Sequence, residues 1–244
     1  MVFVPDDKLK GKMAKNGSVL QYMYSVSGAG KGLIAMGAML IPIGVGLAAA
    51  LSGTLGTQSA VLVAAALGGP GILLLILGVL LQQKREKGWL QAYAKTSGFS
   101  EQEVLQADQE FRQPGTVLFS FDKGKDTNSL KKMGFITSTY IRFPGTAPFL
   151  RHVNDIVACF YTKKYLCRDG GYDRAFVAYF TDGENGVLMD SPPEKASLEI
   201  VEAIEARNPM VITSHHFTYE GKTYDAVRDA DEVVALHKRL RAEG

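Results

Sequence analysis

Three places in the 244-residue chain gather side chains able to do chemistry. His215-His216 offers two adjacent imidazoles, the commonest ligands of a transition-metal ion. Cys159 and Cys167 offer two thiols, and Gly28-Ala29-Gly30-Lys31-Gly32 has the texture of a phosphate-binding loop. Spacing argues against each. Neighbouring side chains on a strand point to opposite faces, and no acidic or Cys ligand stands beside the His pair at metal-ligand spacing, so the two are expected not to share an ion. On one extended strand Cys159 and Cys167 lie about 26 Å apart, beyond the reach of a disulfide, and a cytoplasmic chain keeps its thiols reduced. A phosphate loop needs Gly where Ser25 stands and Ser or Thr where Gly32 stands, so this segment is expected to be a flexible hinge. His152 is expected at a surface or capping position. His237 is expected near the C-terminal end of the last helix, where the helix dipole favours a cation. There is no Gly-x-Ser-x-Gly elbow, and the carboxylates are too scattered to pair as acid and base. No catalytic, cofactor-binding or metal residue is assigned, and the chain is expected not to be an enzyme. An enzymatic alternative around His215, His216 and Tyr140 has no spacing in its favour.

The elements that would carry these residues fall into two different materials. Of the 27 Lys+Arg, 25 Asp+Glu and four His, none lies between Gly32 and Gln83. An even spread would place about eleven charges in those 52 residues. Such a gap excludes a single soluble globule and predicts a membrane-embedded region. The other 192 residues are about 27% charged, which excludes a large polytopic transporter. The block divides into runs at 33–51 and 60–81, roughly 28 and 33 Å long as helices, joined by a polar loop at 52–59. A backbone in lipid must satisfy itself, so the expected structure is a transmembrane helical hairpin. A signal peptide fits badly, because the apolar run starts only after 31 residues and is followed by a second. Pro42 and Gly68-Gly69-Pro70-Gly71 are expected to kink the helices. With no ionisable group inside the block, packing explains the kinks better than an ion path does. Gly44/Ala48 and Ala64/Gly68 have the small-xxx-small spacing of close helix packing.

Positive charge sets the expected orientation. The basic arm 1–31 carries Lys8, Lys10, Lys12, Lys15 and Lys31 against Asp6 and Asp7, and the second span exits into Lys84-Arg85-Glu86-Lys87. By the positive-inside rule both termini are cytoplasmic in a multi-pass protein of the cell's inner membrane. Lys8, Lys10, Lys12, Lys15, Lys84, Arg85, Lys87 and Trp89 are the expected contacts with the membrane surface, each cation attracting anionic lipid by about 1 kcal/mol. Residues 84–244 hold 22 basic and 23 acidic side chains, so nucleic acid is not an expected partner. The expected partners are the lipid bilayer, a protein ligand and further copies of the chain packed through the membrane helices.

Beyond the membrane block, residues 84–113 read as a helical connector and 114–244 as a cytosolic α+β domain. Gly98 stops the first helix. Ser100 and Glu103 form a capping box for the second, with Phe99 and Val104 at staple spacing. Strand-like runs follow at 117–121, 134–143, 149–153, 156–161, 175–180 and 187–189. Those at 156–161 and 175–180 are apolar on both faces, as central strands are. Ser191-Pro192-Pro193-Glu194 starts a helix with Ser191 as cap and Leu198, Val201 and Ile204 as its buried stripe. A strand at 210–217 turns at Glu220-Gly221, and a last helix begins near Asp229 with Val233, Leu236 and Leu240 inward. In order, Gly134-Phe135-Ile136-Thr137-Ser138-Thr139-Tyr140-Ile141, Val153-Asn154-Asp155-Ile156-Val157-Ala158-Cys159-Phe160-Tyr161, Tyr179-Phe180-Thr181-Asp182-Gly183 and Ile204-Glu205-Ala206-Arg207-Asn208-Pro209 resemble a group of bacterial, Gram-positive-type membrane-anchored proteins. The resemblance covers about 130–217 and implies a cytosolic pleckstrin-homology-like (PH-like) barrel. The strand and helix after Asn208 depart from that pattern, and it transfers no site residues. The functional expectation is a non-enzymatic interaction or regulatory domain, tethered by the hairpin and binding protein or lipid headgroups. The alternative is a pore or transporter subunit built from kinked hairpins.

Overall fold

The computed structural model describes residues 2–13, 17–26, 29–121, 133–145, 147–166, 170–183 and 187–243. Strand β1 (Val2–Phe3) and helices α1 (Asp7–Met13) and α2 (Val19–Val26) precede a helix α3 that runs from Ala29 to Ser97. Its one non-helical residue is Gly56, at φ 78° and ψ 161°. There the chain reverses, leaving two arms, Gly30–Thr54 and Gly56–Lys84, each long and apolar enough to cross a membrane. The expected eight-residue loop is thus a single reversal, in a conformation open to glycine. Hydroxyls occupy carbonyls at the end of the first arm, Ser52 donating to Ala49 at 2.8 Å and Thr54 to Leu51 at 3.1 Å.

The arms touch along glycines spaced seven residues apart. A Cβ on Gly30 would lie 2.8 Å from the Gly78 carbonyl oxygen, and one on Gly37 would lie 2.5 Å from that of Gly71. One on Gly44 would lie 3.0 Å from the Leu67 Cβ, and one on Gly78 2.8 Å from the Gly30 carbonyl. The seam corrects one expectation, since Gly30 is a packed helical residue rather than part of a flexible hinge. Pro42 and Pro70 both lie inside helix. Gly44 meets the facing arm at Ala64 and Gly68, as the small-residue spacing predicts, and the seam extends through Gly30 and Gly37 against Gly71 and Gly78. Side chains away from the seam, including Met39, Leu62 and Leu73, are exposed.

The chain divides into two compact units, Leu20–Ala92 and the combination of Met1–Val19 with Tyr93–Gly244. In the second, Gly98 (φ 72°) ends α3. Ser100 and Glu103 then close the predicted capping box on α4 (Glu101–Glu110), with bonds of 2.8 and 3.2 Å. Strands β2 (Val117–Phe119), β3 (Gly134–Ile136), β4 (Tyr140–Arg142) and β5 (Arg151–His152) join β1 in an antiparallel sheet in chain order. The predicted strand at 134–143 is a hairpin. The buried Glu110 carboxylate accepts from the Thr137 and Ser138 hydroxyls and the Thr139 amide at 2.9–3.2 Å, which fixes its turn.

A 3-10 turn at Val153–Asp155 ends this sheet. The next begins with β6 (Ile156–Leu166), β7 (Tyr172–Phe180) and β8 (Val187–Asp190), and β9 (His216–Tyr219) pairs with β10 (Lys222–Asp225) separately. Two long apolar helices are therefore followed by a region of helices and open antiparallel sheets, not by a closed barrel. The first sheet's strands are two or three residues long, and the turn hands the chain to a new sheet instead of wrapping the old one.

β6 and β7 are central, as their two-faced apolarity predicts. Phe176, Ala178 and Phe180 face a core with Phe119, Ile136, Ile156 and α5 (Glu194–Glu205). Ala175, Val177 and Tyr179 face a second core with Phe160, Ala226, Val233 and Val234, the last two on α6 (Ala230–Glu243). The predicted strand at 210–217 is mostly irregular. It contributes one parallel bridge, Ile212 beside Ala158, and becomes β9 only at its end. The buried stripe of α5 is Ser197, Ile200, Val201 and Ile204, whereas Leu198 is exposed. Ser191 does not cap this helix. It sits at φ 49° and donates to Asp173 at 2.8 Å.

Candidate functional site

The β9–β10 hairpin turns through Glu220 and Gly221, both at positive φ (49° and 79°), as a two-residue hairpin turn requires. That turn fixes the register and sets Asp225 opposite His216. His215 stands just before β9, outside the strand, and its carbonyl accepts the Ala226 amide at 2.7 Å. The alternation rule therefore does not separate the two rings. They stack with centroids 4.2 Å apart. The expectation that they face apart is overturned, because one of the pair lies beyond the strand end.

The cluster is held from three sides. The Phe160 ring lies parallel to His215 at 5.4 Å, and the Thr162 hydroxyl meets His215 Nδ1 at 3.0 Å. His215 Nε2 lies 3.1 Å from Asp225 Oδ1, and His216 Nδ1 lies 3.8 Å from Oδ2. Asp225 Oδ1 also accepts the Val227 and Arg228 amides at 2.9 and 3.0 Å. His215 is 14% exposed and His216 58%. Burial lowers the pKa of His215 and like charge on His216 adds to this, against the pull of Asp225. Burial pushes Asp225 up, but the two amides and both imidazoles outweigh it and hold the carboxylate below its usual range. Two imidazole nitrogens and a carboxylate within 4.8 Å of one another form a donor set of metal-ligating type. The Thr162–His215–Asp225 line is also a hydroxyl–imidazole–carboxylate chain. Thr162 is buried, however, so its hydroxyl is not presented to a substrate.

The other residues singled out by sequence are dispersed. Tyr140 lies on β4, in a different sheet from the β9–β10 hairpin, its ring 4.9 Å from that of His152, which in turn lies 4.9 Å from Phe99. Cys159 is buried in the core, where burial pushes its thiol up and makes it inert. Cys167 lies outside the described residues. Lys8 is exposed on α1, whereas the Lys10 ammonium donates to the Arg112 and Gln113 carbonyls at 3.4 and 3.1 Å. Lys15 and the side chains of Lys12 and Arg85 lie outside the described residues. Trp89 is half-buried on α3. Exposed Lys84 and Lys87 line a cavity of about 640 Å³ with Tyr24, Leu81 and Gln91.

His237 corrects another expectation. It is buried on α6, and neither ring nitrogen has a hydrogen-bond partner among the described residues. Burial lowers its pKa, Arg241 lowers it further, and Asp155 opposes both, so it is a neutral core residue rather than a helix-end cation. The unfolded chain binds the proton more readily. The stability linked to His237 is therefore full above about pH 6.5 and is lost as pH falls through the depressed native value. Replacing His237 with Leu should flatten the fall in melting temperature between about pH 7 and 5. A slope of the same sign should remain from His215.

Sequence reasoning missed Asp225. The signal was present, since a two-residue turn at Glu220-Gly221 pairs 219 with 222 and hence 216 with 225. Comparison with protein-family models, curated proteins and solved structures finds no match to this chain.

Proposed function

We propose that this protein is a membrane-anchored interaction module whose work is binding rather than catalysis. Its hairpin crosses the inner membrane twice, both termini are cytoplasmic, and the α+β unit is held at the inner face to bind lipid headgroups or a protein ligand. One observation carries the reading. Both apolar arms are sealed to each other by glycine, yet only 17% and 11% of their most apolar windows are buried within the protein. Continuous exposed apolar surface on that scale has lipid as its matching solvent. The lysines flanking both arms, and their absence from the turn at Gly56, support cytoplasmic ends.

Headgroups are the ligand class favoured by the cavity at the end of the second arm, where Leu81 supplies an apolar wall and Lys84 and Lys87 supply cations. Changing Lys84 and Lys87 together to Gln should weaken retention of anionic lipid by about 2 kcal/mol, roughly thirtyfold. Lipid bound to the purified protein in nanodiscs of mixed charge checks this. Topology is tested by reporter fusions. A cytoplasm-dependent reporter should be active at residue 1 and at residue 244, and an export-dependent one should be active at Gly56. The opposite pattern would remove the proposal.

A further inference from the structure

We propose that His215, His216 and Asp225 form a binding site for one divalent transition-metal ion of the zinc class. The donors are two imidazole nitrogens and one carboxylate oxygen, all within 4.8 Å of one another. Imidazole donors select zinc, nickel, copper or cobalt over magnesium and calcium, which prefer an all-oxygen shell. Three protein ligands leave the fourth tetrahedral position for water or a group from a partner.

The site is shaped before an ion arrives. Thr162 Oγ1, at 3.0 Å from His215 Nδ1, can accept a hydrogen bond from Nδ1–H and so present an unprotonated Nε2 to the ion. The same hydroxyl oxygen already accepts the Lys164 amide at 3.1 Å, which fixes its position. Phe160, parallel to the His215 ring, sets the ring plane. The Val227 and Arg228 amides bind Asp225 Oδ1, leaving Oδ2 turned toward His216 Nδ1 at 3.8 Å. The more exposed His216 gives an ion a path from solvent. A bound ion would join three segments, with β9 and β10 clasped to His215 and, through Thr162, to β6. This inference is independent of the membrane reading.

The test uses full-length protein without a histidine tag, in detergent. Co²⁺ serves as the optical probe, and Zn²⁺ is measured by competition with a chromophoric chelator. The expected result is one equivalent per chain, with visible cobalt bands of four-coordinate intensity that zinc abolishes and calcium does not. His216→Ala changes an exposed side chain, and Asp225→Asn keeps the oxygen that receives the two amides. Each should weaken zinc binding at least about tenfold while metal-free melting stays near wild type, and Thr162→Val should weaken it about tenfold or more. Absence of saturable binding by the wild type would overturn the site. So would zinc affinity unchanged in both His216→Ala and Asp225→Asn.

Discussion

Replacing Gly37 with Leu is expected to take the helical hairpin apart. The added Cβ would meet the Gly71 carbonyl oxygen at 2.5 Å and the Leu75 backbone nitrogen at 2.9 Å. Both are backbone atoms of the facing arm, so no rotamer change relieves the clash, and the arms must separate. Overpacking costs about 1–3 kcal/mol where neighbours can adjust, and a backbone-lined seam sits at the upper end. In lipid the loss is compounded, because close van der Waals packing is the main force joining two helices. Gly78→Leu should behave alike, since its Cβ would lie 2.8 Å from the Gly30 carbonyl. Gly46→Leu and Gly69→Leu, with nothing within 4 Å, are the controls. In graded denaturing detergent, the seam variants should lose folded hairpin at least roughly thirtyfold relative to the controls. Equal loss in all four would mean that the seam is not what joins the arms.

The second large effect is expected at Arg142, which is 2% exposed in the sheet-bearing unit. Its Nη1 donates to the Met133 and Phe143 carbonyls at 2.9 and 3.4 Å, and Nη2 donates to Gly145 at 2.9 Å. Its Nε donates to the Tyr93 hydroxyl at 3.2 Å. One rigid guanidinium thus satisfies three carbonyls and joins Tyr93, in the same compact unit, to the first sheet. Arg142→Met keeps much of the volume but strands those acceptors, at about 1–3 kcal/mol for each buried group left unpaired. A net loss of about 3–5 kcal/mol is expected, enough to unfold much of a domain of ordinary stability. Lys cannot replace the fork, so Arg142→Lys should recover little of it. Chemical denaturation followed by the strand signal in circular dichroism measures both.

How far the sequence reveals this molecule depends on how local each signal is. The Ser100–Glu103 box, the Gly98 stop and the Glu220-Gly221 turn are set within a few residues, and the charge-free block is one continuous stretch; each appears in the fold where the sequence puts it. The glycine seam is not local. Gly30, Gly37 and Gly44 look like composition until an antiparallel arm brings Gly71 and Gly78 against them. Closure of a sheet is likewise invisible, since strand-forming runs do not say that a 3-10 turn at Val153–Asp155 will start a new sheet. The His pair was misread because the alternation rule applies only inside a strand, and His215 lies one residue outside. His237 was legible and overlooked. It falls four residues after Val233 on α6, which puts it on the buried face of that helix.

The most direct test of the central claim, that the two arms span a bilayer with the rest of the chain inside, is single-cysteine labelling with a membrane-impermeant reagent. Cys159 and Cys167 are first changed to Ala, and cysteine is then placed at Thr57, beside the reversal, or at the exposed Gln102 on α4. In intact cells Thr57→Cys should label and Gln102→Cys should not, and Gln102→Cys should label once the membrane is opened. Labelling of both positions in intact cells, or of Gln102→Cys alone, would contradict the account.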